Sequence, residues 1–139
     1  MIRIAAIAAM TLFATSALAD GDAAKGEDTF AKRCKTCHMI SNAGEDIVKG
    51  GRTGPNLYGI VGKAAASSDF KYGDSAKAAG EKGLVWDQAQ IIAYLEDPKA
   101  FLVEYLGDSK ARSKMAFKLK DEGDRADIAA YLATFSATN

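Results

Sequence analysis

Cys34-Lys35-Thr36-Cys37-His38 is the stretch that decides how this chain reads, because it holds both cysteines and the single histidine among 139 residues. Three familiar uses of a Cys-x-x-Cys pair fail here. A redox dithiol sits at a helix N-terminus, where the dipole depresses a thiol pKa. This pair instead closes a helical pattern running from Ala23 to about Cys37, at the end that raises it. A structural zinc site needs four ligands, and His38 is the last Cys or His on offer. A plain disulfide leaves His38 without a role. Covalent haem uses all three residues: each thiol adds across one porphyrin vinyl group, and the histidine after the second cysteine ligates the iron from one face.

The opposite face needs a ligand, and elimination narrows the choice. With one histidine, bis-histidine ligation is impossible. Of four methionines, Met1 and Met10 belong to an N-terminal leader and Met39 adjoins His38, which leaves Met115 in Ser113-Lys114-Met115-Ala116-Phe117. A lone methionine ordinarily fills a core. Here it stands on a basic loop with nothing else as soft to offer iron, and a lysine or an open position is the alternative. A thioether ligand favours ferrous over ferric haem and raises the potential.

The leader spans residues 1–19. Arg3 supplies the positive start, Ile4 to Ala14 is apolar apart from Thr11, and Ala17-Leu18-Ala19 offers small residues at both positions a signal peptidase reads. That run is too short for a membrane anchor, which needs about 20 apolar residues. The expectation is a cleaved leader and one exported domain, residues 20–139, soluble in the periplasm. Without Arg3, 17 basic groups face 18 acidic ones. So balanced a charge argues against a general nucleic-acid binder.

The rest of the domain reads as all-α, with five modest helices and long loops. Asp22 caps the first helix, with Gly26, Phe30 and Cys34 on one face. Residues 41–70 are turn-rich and predict mostly loop, without strand alternation. Asp74–Ala79 predicts a short helix stopped by Gly80. Asp87 caps Gln88–Glu96. Asp97-Pro98 opens a further helix to about Leu106, before Gly107. A last helix lies within Gly123–Ser136, with Ile128, Leu132 and Phe135 at i, i+4 and i+7. Loops of the length of 41–70 and 107–120 are unusual in a compact domain, which implies that another group fills the middle.

Taken in order, Cys34–His38, Thr53-Gly54-Pro55-Asn56-Leu57-Tyr58-Gly59, Trp86 and Lys114-Met115-Ala116-Phe117 resemble a class I cytochrome c. The longer segments near 41–50 and 102–112 are similar to the bacterial c2 type, and the resemblance covers essentially the whole mature chain. It implies the all-α fold of that family around one haem c. The terminal helices would cross near Gly26, Phe30, Ile128 and Tyr131. It also implies that the Pro55 carbonyl accepts a hydrogen bond from His38, that Tyr72 and Trp86 donate to a haem propionate, and that Tyr94 lies beside the Met115 sulfur. Arg52 is a further candidate for a propionate. Met39 departs from the family pattern and is assigned no role.

With His38 and Met115 both bound, no iron position is open to substrate, which points to outer-sphere electron transfer and not to catalysis. Charge is segregated along the chain. Lys32, Arg33 and Lys35 stand together without an acid, and residues 99–120 carry a surplus of four that includes Lys99, Lys114 and Lys118. Residues 20–31 and 121–139 each carry a deficit of three. Basic segments that bear the haem ligands suit docking to acidic faces, although any one lysine can equally be a solvated bystander.

The resemblance implies a monomeric carrier between a bc1-type quinol–cytochrome c oxidoreductase and a photosynthetic reaction centre or cytochrome oxidase. Neither nucleic acid nor a membrane anchor is expected. A five-coordinate haem enzyme or gas-binding cytochrome is the alternative, although four-helix cytochromes of that kind carry the attachment motif near the C-terminus. A haem-free exported binding protein with one disulfide is the third reading.

Overall fold

The computed structural model describes residues 21–136, so the leader 1–19 lies outside the described residues. Five helices carry the fold: α1 (Ala23–Arg33), α2 (Asp74–Glu81), α3 (Gln88–Glu96), α4 (Pro98–Leu106) and α5 (Glu122–Ala133). Their starts follow local chemistry. Asp22 Oδ1 accepts from the Ala24 and Lys25 amides, Asp87 from Gln90, Asp97 from Ala100 and Asp121 from Asp124. Each carboxylate satisfies donors that the first helical turn leaves free. Gly107, in the left-handed region at φ 66°, ends α4.

α1 packs on α5, α3 packs on both α5 and α4, and α2 packs on α4. At the α1–α5 crossing, Phe30 and Tyr131 rings sit 5.7 Å apart between centroids. The crossing is close because of Gly26: a Cβ there would lie 2.0 Å from the Asp127 carbonyl oxygen and 2.7 Å from Tyr131 Cβ. The Asp22 amide also donates to Asp127 Oδ1 at 2.6 Å, so α1 is fastened to α5 at its first residue. Phe30, Ile91, Leu95, Leu119, Ile128 and Leu132 form the main core, and Ala79, Leu84 and Leu102 a second one beneath α2 and α4.

Three expectations need correction. Residues 41–70 are mostly loop, but strands occur where none was expected: β1 (Ile40–Asn42) and β2 (Glu45–Val48) form an antiparallel hairpin pairing Asn42 with Glu45 and Ser41 with Asp46. β2 is exposed along most of its length, so no face needs to alternate apolar with polar residues. α2 runs through Gly80 instead of stopping there. That glycine serves packing, since a Cβ would sit 2.2 Å from the Ala65 carbonyl oxygen. α1 ends at Arg33, short of Cys37, and the motif continues as tighter turns.

The hairpin turn carries a testable strain. Ala43 adopts φ 51° and Gly44 φ 87°, the pair of left-handed residues that a two-residue hairpin turn requires. An alanine pays about 1–2 kcal/mol for that conformation and a glycine does not. Ala43→Gly is therefore expected to stabilise the protein by roughly 0.5–1 kcal/mol in guanidinium unfolding, part of the relief being offset by unfolded-state entropy.

Candidate functional site

The two cysteines and the histidine converge because the chain keeps coiling after α1. The Cys37 and His38 amides both donate to the Cys34 carbonyl, at 3.1 and 2.9 Å. Residues 51–57 then run alongside, with the Gly51, Gly54 and Leu57 amides donating to the carbonyls of Lys35, Cys37 and Met39. Gly54 lies directly against the imidazole: a Cβ would come within 2.4 Å of His38 Cε1. Only a residue without a side chain admits both the loop and the ring there.

Cys34 is buried and Cys37 exposed, and no disulfide joins them. Burial first, then the neighbouring Cys37, pushes the Cys34 thiol up to about 11. A thiol so reluctant to ionise is a poor redox nucleophile at neutral pH. His38 is buried, and desolvation lowers its pKa against the opposing pull of its hydrogen bond to Pro55. The imidazole is therefore neutral. Its Nδ1 stands 2.8 Å from the Pro55 carbonyl oxygen. A carbonyl can only accept, so Nδ1 carries the proton and Nε2 keeps a lone pair for a metal.

These groups line one cavity of about 610 Å³. Its walls are mostly apolar, from Phe30, Leu57, Ile91, Leu95, Ile128 and Leu132. Pro55, Tyr72, Trp86, Tyr94 and Met115 are also on the wall. The volume falls within the range that encloses a sizeable organic ligand. Two thiols and an imidazole at one wall, a thioether on the same lining and apolar surface between fit a covalently attached haem. Cys34 and Cys37 would carry its thioether links, and His38 and Met115 could reach its iron.

The other assignments divide. Tyr94 and Met115 are brought to the same cavity, but the Tyr94 hydroxyl is engaged with Ser113 Oγ at 3.2 Å. Burial raises the Tyr94 pKa, with the Ser113 bond opposing, so it stays a phenol. Tyr72 shares its hydroxyl with Ser68 Oγ at 2.6 Å. Trp86 packs edge-on against Tyr94 and stacks with Phe101. Arg52 is exposed and does not line the cavity, whereas Arg33 and Arg112 do. The sequence reading did not single out either of those two for a propionate.

The basic residues also divide. Lys32, Arg33, Lys35 and Lys99 are exposed. Lys114 is exposed too, but its Nζ donates to the Lys71 carbonyl at 2.7 Å. Lys118 differs from these, because its ammonium is paired with Asp97. That contact, with the Ala100 amide, holds the Asp97 carboxyl below its ordinary range. Sequence reasoning missed Ser113, whose Oγ lies 3.1 Å from the Met115 amide nitrogen, which donates to it. The signal was available, since a serine two residues before a loop residue commonly bonds its amide.

Comparison with known proteins agrees with this geometry. Residues 23–136 match the family model described as Cytochrome c. The chain is 56% identical to cytochrome c-551 of Roseobacter denitrificans, over 98% of this chain and 96% of the relative. It is 52% identical to cytochrome c2 of Rhodobacter capsulatus, over 94% and 93%. The solved cytochrome c2 of Paracoccus denitrificans superposes with a TM-score of 0.79 at 50% identity, covering 84% of this chain and 98% of that one. Among the described residues, no helix is long and apolar enough to cross a membrane. Likeness this extensive, in sequence and in backbone, means that the chain belongs to the cytochrome c family, as a class I, c2-type electron-transfer protein that carries one covalent haem c and is not an enzyme.

Proposed function

We propose that residues 1–19 export the chain and that residues 20–139 work in the periplasm as a mobile one-electron carrier, with His38 and Met115 as the two axial ligands of the iron. The donor is a bc1-type quinol–cytochrome c oxidoreductase, and the acceptor a photosynthetic reaction centre or a cytochrome oxidase. The haem supplies the one-electron couple. The chain's own residues do the rest. The observation that carries the reading is the neutral His38 ring, its Nδ1 proton committed to Pro55, lining the same cavity as Met115. Pro55 holds the tautomer and makes the imidazole a better donor. The apolar wall keeps water from the site, and Tyr94 and Ser113 fix the backbone that presents Met115.

Docking falls to the exposed cations beside the cysteine pair. Lys32, Arg33 and Lys35 follow one another where α1 gives way to the attachment turn, and Lys114 lies on the cavity lining with Arg112. A positive rim speeds encounter with an acidic partner and weakens as salt screens it. The test is electron exchange with an acidic redox partner, followed by stopped flow. Lys35→Glu is expected to slow the bimolecular rate roughly three- to tenfold at low ionic strength. Lys77→Glu, on α2 beside Asp74, and Lys118→Gln, already neutralised by Asp97, should change it little. Equal effects at the three positions would remove the rim as the docking surface.

A further inference from the structure

Arg125 is a buried cation that the electron-transfer site does not use. It lies on α5 with 6% of its surface exposed, and Nη1 donates to two successive carbonyls, Leu119 at 2.9 Å and Lys120 at 2.7 Å. Nη2 is 3.7 Å from Glu96 Oε2 on α3, a carboxylate that is itself 61% exposed. Nε is buried without any hydrogen-bond partner. A cation taken out of water for two bonds from one nitrogen and one loose ion pair, with a donor orphaned, is poorly explained by stability alone. What it gains is position. Leu119 and Lys120 end the segment that begins at Met115, and the Leu119 amide donates to the Leu95 carbonyl of α3 at 2.8 Å.

We propose that Arg125 is the latch of the Met115 segment, a positioning residue that joins α5, α3 and residues 119–120 and so sets how often Met115 leaves the cavity. This rests on Met115 being the second iron ligand. Upstream, Ser113 is tied to Tyr94 and to the Met115 amide by part-buried bonds, and the remaining ties are weaker. The Arg112 amide to Ser75 Oγ and Lys114 Nζ to the Lys71 carbonyl are both exposed bonds, open to competition from water. The Arg125 bond to Leu119 is buried, and Leu119 itself is 4% exposed. Leu119 is four positions after Met115, a span of at most about 14 Å of extended chain, so slack at the buried end is felt at the sulfur.

The experiment uses the haem-loaded protein and reads two rates. Imidazole uptake by the ferric form, at saturating imidazole, reports opening at Met115. Hydrogen exchange of the Leu119 amide reports opening of the segment whatever holds the iron. Arg125→Lys keeps the charge but replaces the two-carbonyl fork by a single ammonium, and Arg125→Met removes every donor. Arg125→Lys is expected to raise both rates together by about tenfold or more, the loss of a buried charged hydrogen bond. Arg125→Met, where it folds, should raise them further, and Lys114→Ala much less. Gly80→Ala, which strains α2 against the Ala65 backbone without touching α5 or residues 115–120, serves as the control for general destabilisation. Rates in Arg125→Lys no higher than in that control overturn the latch. Faster Leu119 exchange with unchanged imidazole uptake overturns its link to Met115. Met115→Ala run alongside shows which reading failed, since uptake there at the parent rate means that Met115 is not the ligand.

Discussion

Met115→Ala is expected to lower the reduction potential and to let cyanide or imidazole bind the ferric protein within the time of mixing. Both changes follow from one loss. A thioether is a soft donor that favours ferrous iron, so its removal shifts the couple towards the ferric state. A preference of about a hundredfold corresponds to roughly 120 mV for one electron, at about 59 mV per tenfold. The second change follows from access. Met115 is half-buried on the cavity wall, and alanine leaves both a ligand position and the room to reach it. Potentiometry and stopped-flow absorbance measure the two effects separately. The far-red methionine–iron charge-transfer band of the ferric protein should vanish in the same variant. An unchanged potential with the band intact would mean that another side chain holds the iron, and the assignment of Met115 would be withdrawn.

His38 is expected to protonate at more acid pH than a free imidazole. Burial lowers its pKa more than the Pro55 bond raises it, so the neutral form is present throughout the neutral range. The sign matters for function. Protonation would place a proton on Nε2, the lone pair offered to iron, and a depressed pKa moves that event to more acid conditions.

What the sequence revealed and what it hid divide along one physical line. α3 and α4 were legible to the residue, from Asp87 before Gln88 to Gly107 after Leu106, because caps, proline and left-handed glycine act within one turn. The attachment turn and Met115 were legible because the ligands are so few. The hairpin was hidden, since an exposed β2 imposes no alternation. Asp97 and Lys118 are 21 residues apart, and nothing local marks their pairing. Arg125 looked like one charge in an acidic segment until the fold put two carbonyls in front of it. That Arg33 and Arg112 line the cavity and Arg52 does not likewise needs the fold, because all three are equally basic and only position separates them.

Gly26→Ala is the second large effect, and its sign runs against helix propensity. In an isolated helix, replacing an interior glycine by alanine gains about 1 kcal/mol. In α1 the added Cβ would lie 2.0 Å from the Asp127 carbonyl oxygen and 2.6 Å from its carbon. Ordinary contact begins well over 1 Å further out, and the atoms in the way are backbone, which cannot turn aside as a side-chain tip can. α1 and α5 must therefore separate along the crossing that brings Phe30 against Tyr131. Forced repacking costs typically 1–3 kcal/mol where side chains can adjust, so a backbone clash belongs at or above the upper end. Net destabilisation of about 2 kcal/mol or more is expected after the propensity gain is subtracted, which is roughly 8 °C in melting temperature for a domain of this size. Guanidinium and thermal unfolding of the haem-loaded protein, followed by far-ultraviolet circular dichroism, decide it. A variant as stable as the parent would mean that propensity wins, and that the two terminal helices stand further apart than their backbone contact at Asp127 implies.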